Sequence, residues 1–118
     1  MFHRIKRDKL DILFSQYIRA RANGICERCL KRRRLECSHF HGRRKKSVRW
    51  DPTNVAALCR FCHQYFTENP EAHRAFFLKR LGQMRYDALT LRANIGRRPD
   101  RKAIEVALKF AMKQHEND

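Results

Sequence analysis

Two cysteine pairs of the same spacing, Cys26-Glu-Arg-Cys29 and Cys59-Arg-Phe-Cys62, restrict the fold of this chain more than any other feature. A Cys-x-x-Cys step lets a tight turn aim both sulfurs at one point, so two steps supply four thiolates to one tetrahedral ion, each about 2.3 Å from it. The expectation is a closed structural Zn2+ site built from Cys26, Cys29, Cys59 and Cys62. Disulfides are the competing use, but the cysteines number five, and two Cys-x-x-Cys steps in a reducing compartment favour metal. Residues 30–58 separate the pairs, enough for a hairpin whose base the ion fastens to a following helix. Such a fold is expected to fail without its ion. Cys37 is left over and reads as a small buried thiol in preference to a further ligand.

Hydrophobic periodicity supplies the elements around that clamp. Residues 8–22 place Leu10, Leu13, Phe14, Tyr17 and Ile18 at three- and four-residue steps, an amphipathic helix that can end at Gly24. "LECSHFH" (35–41) and "VAALC" (55–59) read as two short strands joined by a basic loop over 42–54, with "DPTN" as its turn signal. On such a strand Cys37, His39 and His41 share a face. A helix follows Cys59 to about Thr67, and Asn69 caps another that starts with Pro70 and carries Ala72, Ala75, Phe76, Leu78 and Leu81. Gly82 separates it from a helix with Met84, Leu89 and Leu91 that ends near Gly96. The last helix begins near Pro99 or Asp100, with Ile104, Ala107, Leu108 and Ala111 on one face. The chain therefore reads as one α+β, mostly helical domain: a clamped core over about 24–68, a helix before it and about three after it, over about 70–115.

Charge points to the partner. Against 28 Lys+Arg stand 12 Asp+Glu, a formal charge of +16 on 118 residues. Self-repulsion of that size is unfavourable unless a polyanion is the usual partner, and solubility alone is served by a net charge of roughly 2–8. DNA is the expected partner, met by Arg43, Arg44, Lys45, Lys46, Arg49 and Arg60, with further clusters at Lys31–Arg34 and at Arg97, Arg98, Arg101 and Lys102. Trp50 either stacks on a base or packs beneath the loop. No apolar run reaches the roughly 18 residues of a membrane span, and "MFHRIKRDKLDILF" lacks the apolar stretch of a leader. No membrane partner is expected, and a cytoplasmic location is.

The segment "ECSHFHGRRKKSVRWDPTNVAALCRFCHQYF", residues 36–66, orders His39, Asn54 and His63 inside the cysteine clamp. With that order and spacing the chain resembles the HNH endonucleases, the ββα-metal fold, and in particular small HNH proteins encoded by bacteriophages and prophages, some associated with phage recombination. The resemblance is close over residues 26–70. It implies that His39 is the general base that takes a proton from the attacking water, and that Asn54 holds the loop and the His39 strand in register through its side-chain amide. It also implies that His63 is a ligand of one catalytic divalent cation, Mg2+ or Mn2+, with Ni2+ or Zn2+ as alternatives. The step from Asn54 to His63 matches the family's spacing. Two positions depart from its pattern. Ser38 stands where a metal-binding Asp or His commonly precedes the base, and Thr67 stands where a histidine can follow one helical turn after His63. His41 is a candidate for the missing ligand.

The function implied is metal-dependent hydrolysis of DNA phosphodiester bonds in phage DNA processing, by a monomer or a homodimer. Two other functions fit the same residues. One is a zinc-containing nucleic-acid-binding module without catalysis, and the other is a nuclease selective for branched DNA.

Overall fold

The computed structural model describes residues 7–117; residues 1–6, on which part of the leader expectation falls, lie outside the described residues, as does residue 118. It is an α+β fold dominated by helices: α1 (Lys9–Arg21), β1 (Leu35–His39), β2 (Val55–Cys59), α2 (Arg60–Glu68), α3 (Pro70–Leu81), α4 (Gln83–Ile95) and α5 (Arg101–Asn117). The strands pair antiparallel, Leu35 opposite Cys59 and His39 opposite Val55. Every residue of β2 is buried, because α1 packs on one side of the strand pair and α2 on the other. That is why its sequence is a continuous apolar run and not an alternation.

Helix α1 starts on the Asp8 carboxylate, which accepts from Leu10 N at 2.9 Å, and buries Leu10, Phe14 and Ile18 at four-residue steps. Past its end Asn23 and Gly24 both take positive φ, turning the chain into the first cysteine pair. A Cβ on Gly24 would stand 2.7 Å from Arg32 Nη1, so glycine suits the site twice over.

The segment joining the strands is more structured than a solvated loop. Two 3-10 turns, Lys46–Val48 and Pro52–Asn54, fold it inwards, burying Val48 and Trp50. Helix α4 braces it: Ser47 Oγ donates to Arg92 O at 2.8 Å, and Arg92 reaches Asp51 Oδ2 at 2.9 Å. β1 stops at His39, two residues earlier than the sequence pattern places its end.

Several helix faces differ from the periodic expectation. Asn69 stands at the N-cap of α3, its C=O accepting from His73 N at 3.1 Å, but its side chain makes no capping bond; its Nδ2 donates to Tyr65 O at 2.9 Å and so closes the end of α2. In α3 the buried residues are Phe77 and Leu81, while Ala75 and Leu78 face outwards. In α4 they are Leu89 and Ala93, with Met84 and Leu91 exposed. In α5 Leu108 is buried against α1 with Ile104 half-buried, and Ala107 is exposed. Aromatic stacking decides the α3 face, since Phe77 lies parallel to Phe40 at 4.8 Å and outweighs the smaller apolar side chains. No helix among the described residues is long and apolar enough to cross a membrane.

Candidate functional site

Among the described residues, one group of cysteines, histidines and carboxylates converges closely enough to hold an ion. The Sγ atoms of Cys26, Cys29, Cys59 and Cys62 lie within 4.8 Å of one another, with Cys29 and Cys59 3.9 Å apart. Thiolates about 2.3 Å from a common tetrahedral ion would stand about 3.8 Å apart, so the group is positioned for a metal and compatible with structural zinc. The first pair comes from a turn closed by Cys26 N to Lys31 O (2.9 Å) and Leu30 N to Cys26 O (2.9 Å). The second straddles the junction of β2 and α2.

The thiols are electrostatically unequal. Burial opposes ionisation of Cys26, but N–H groups of Cys29, Cys59 and Arg28 outweigh it and bring the pKa down to about 6. Burial pushes Cys62 up to about 12 against the pull of Arg28, whose Nη1 donates to its sulfur at 3.3 Å. Arg28 also stacks on Tyr65, 4.0 Å from the ring centroid. It places a fixed cation where four thiolates around a divalent ion would leave excess negative charge. Cys37 is separate from the group and half-buried against the core, where burial raises its thiol to about 12 and keeps it protonated.

Glu27, inside the first cysteine step, ties the clamp to the fold. Its Oε1 accepts from Ala57 N at 2.6 Å and Arg21 Nη2 at 3.0 Å, and its Oε2 accepts from Arg80 Nη2 at 3.0 Å. Burial works to raise its pKa, and these donors more than offset it. The metal turn is thereby fastened to α1, β2 and α3 at once.

The three residues of the ordered motif occupy distinct positions. Asn54 is fully buried at the end of the loop. Its Oδ1 accepts from His41 N at 2.8 Å, and its Nδ2 donates to His41 O and Val48 O, both at 3.0 Å. One side chain thus pins the end of β1 to the first 3-10 turn. His39 ends β1, and its Nε2 lies 2.8 Å from Arg49 O. A carbonyl only accepts, so that nitrogen carries the proton and Nδ1 keeps the basic lone pair. Burial lowers the His39 pKa, with the Arg49 carbonyl opposing, which favours the neutral ring.

His63 sits on the first turn of α2, where its Nδ1 meets Glu36 Oε1 at 2.9 Å. Glu36 and His39 are an odd number of residues apart on β1 and point to opposite faces of the strand pair. Accordingly, the His39 ring approaches Phe14 of α1, with centroids 6.0 Å apart, while His63 lies on the α2 side. The cysteine clamp therefore does not bring His63 beside His39; the strand pair stands between them. Nor does His41 share the His39 face, because the strand ends and the Asn54 bonds turn the chain. Its ring packs on Phe40, centroids 4.7 Å apart. Ser38 is buried, and Thr67 is exposed with its Oγ1 turned back to donate to His63 O at 3.0 Å.

The basic residues divide into two kinds. Arg44, Lys45, Lys46 and Arg60 are exposed. Arg43, also exposed, and the half-buried Arg49 bond to Asp11 of α1, Arg43 Nη2 to Oδ2 at 2.5 Å and Arg49 Nε to Oδ1 at 3.0 Å. Trp50 packs beneath the loop, its indole N–H donating to Asp11 Oδ1 at 2.8 Å.

Sequence patterns gave no reason to single out Glu36, Asp11 or His73. His73 on α3 lies parallel to Phe66 at 4.8 Å and edge-on to Phe40 at 5.1 Å, with its Nε2 buried and without a hydrogen-bond partner. Burial, aided by His63 and His41, pushes its pKa down to about 4, below the ordinary 6.5. The folded state therefore resists protonation of His73. Its contribution to stability is present above about pH 6.5 and is lost as pH falls through about 4. His73→Phe keeps the stacking and removes the titration. Its melting temperature is expected to fall less than the wild-type value between pH 6.5 and 4.5, whereas parallel curves would show that His73 is not the acid-sensitive group.

No family model, curated protein or solved structure matches the chain.

Proposed function

We propose that the chain is a metal-dependent HNH-type endonuclease that nicks DNA, with the four-cysteine group holding zinc as a structural ion. The observation that carries this is the fixing of His39: a neutral imidazole whose Nε2–H is taken by the Arg49 carbonyl, on a loop that Asn54 pins to the same strand. The strand–strand–helix order of β1, β2 and α2 supports it, as does the exposed basic edge beside the loop.

In this function His39 Nδ1 takes the proton of the attacking water, which a neutral ring does at physiological pH. Arg44, Lys45 and Lys46 hold the phosphate backbone and set its register without reading sequence. Asn54 keeps the base and the basic loop in one rigid frame. Outside the four-cysteine group, Glu36 and His63 are a pair spaced to share a divalent cation with DNA phosphate. Two donors about 2.1 Å from one ion and at right angles around it stand about 3 Å apart, close to the 2.9 Å between them. Such an ion would lie across the strand pair from His39 and would neutralise backbone phosphate on the α2 side, so the joint use of His63 and His39 on one phosphate, which the family resemblance implies, is not supported by this geometry. The products expected are 5′-phosphate and 3′-hydroxyl ends, and the family resemblance adds phage DNA processing in a bacterial cytoplasm as the setting.

The test is relaxation of supercoiled plasmid by protein retaining its structural ion, stripped of loosely bound metal and given Mg2+, Mn2+, Ni2+ or none. Nicking that requires the added ion is expected. Its absence with every ion favours a second function, a nucleic-acid-binding module, for which the placement of Ser38 and Thr67 away from ligand roles already speaks.

A further inference from the structure

Asp11 lies on α1, outside the segment that carries the family resemblance. In a chain with 28 basic residues and 12 acidic ones, this single carboxylate, its side chain 18 % exposed, accepts from Arg43, Arg49 and the Trp50 indole. Arg49 approaches with two nitrogens, Nε to Oδ1 at 3.0 Å and Nη2 to Oδ2. Arg49 and Trp50 flank one peptide bond, and the carbonyl of that bond is the one bonded to His39 Nε2 at 2.8 Å. Asp11 therefore grips both side chains on either side of the peptide that orients the His39 ring.

From this geometry we infer that Asp11 is a positioning residue for His39: by fixing the Arg49–Trp50 peptide it fixes the tautomer and orientation of the general base. The inference rests on the nuclease function proposed above for its catalytic meaning. A side chain two elements away is a reasonable lever because an error of about 1 Å in a reacting group can cost about 10²-fold in rate. A second consequence has the opposite sign. Asp11 also holds the cations of Arg43 and Arg49 away from phosphate, so removing its charge strengthens DNA binding while weakening cutting.

The experiment compares full-length, zinc-loaded wild type with Asp11→Asn and Asp11→Glu. Three quantities are read: plasmid nicking as kcat and KM, DNA affinity by gel shift, and the His39 ring nitrogens by long-range 1H–15N NMR, assigned with His39→Ala. Asp11→Asn is expected to lower kcat by about 10²-fold, tighten DNA binding and move the His39 ring from one tautomer to a mixture, with Asp11→Glu restoring most of each. Unchanged ring signals in Asp11→Asn overturn the inference, as does a parallel loss of cutting and DNA affinity, which marks a merely structural role. If wild type does not nick, the nuclease function fails, and the ring signals still decide whether Asp11 positions His39. If Asp11→Asn does not fold, Arg49→Lys takes its place, since it keeps the charge and the carbonyl but loses the two-nitrogen grip. The same tautomer shift is then expected, and an unchanged ring overturns the inference.

Discussion

Stripping the ion from the four-cysteine group is expected to unfold the protein. Cys26, Cys59 and Cys62 are part of the buried core itself, alongside Phe14, Ile18 and Leu58. The sheet they fasten has two strands, and a lone hairpin of that size is marginal in water. The first cysteine turn is also where Glu27 joins α1, β2 and α3. A structural zinc contributes apparent folding free energy of about 10–16 kcal/mol, as much as the whole stability of a typical small domain. Without it, buried thiols of different proton affinity remain, and a formal charge of +16 adds repulsion. Far-UV circular dichroism under reducing conditions, before and after a strong chelator and again after added Zn2+, reads the outcome. Loss and recovery of the helical signal is expected, while an unchanged melting temperature after chelation would show that packing alone holds the fold.

The second large effect is expected from Asn54→Ala. Asn54 is wholly buried and its amide satisfies three backbone groups, His41 N–H, His41 C=O and Val48 C=O. Val48 C=O keeps the Asp51 N–H at 3.2 Å, so the two His41 groups lose their partner; at about 1–3 kcal/mol each, a loss of about 2 kcal/mol or more is expected on denaturant unfolding. Turnover on plasmid should fall at temperatures where the variant is still folded, because the 3-10 turn that leads to Arg49 is released from the strand that ends in His39. A stability change below about 1 kcal/mol would mean that water replaces the amide and that the side chain is not the pin described here.

The clamp was legible in the sequence because Cys-x-x-Cys geometry is local: the turn that aims two sulfurs together needs only four residues. The strands at 35–39 and 55–59 and the helix that follows them were legible for the same reason, as were the stops at Gly82 and Gly96. Asp11, Glu27 and Glu36 were not. Their partners stand at 43, 49 and 50, at 21, 57 and 80, and at 63, distances in sequence over which no periodicity operates. The apolar pattern located α3 and α4 and included their buried Leu81 and Leu89, but it weighs each apolar residue alike and did not single out Phe77. Burial instead followed the aromatic stack of Phe40, Phe66, His73 and Phe77, which a hydropathy pattern does not encode. The shared face expected for His39 and His41 failed at a single point, where Asn54 ends the strand.

The most direct measurement is the comparison of wild type with His39→Ala in two assays on the same preparation, nicking of supercoiled plasmid with added divalent metal and retention of DNA in a gel. His39 is half-buried at a strand end and bonds only to the Arg49 carbonyl, so the substitution removes the base with little effect on the clamp or the basic loop. The expected result is nicking abolished with DNA affinity intact. Equal nicking by the two proteins would contradict the proposal that His39 is the base, and with it the proposed nuclease function.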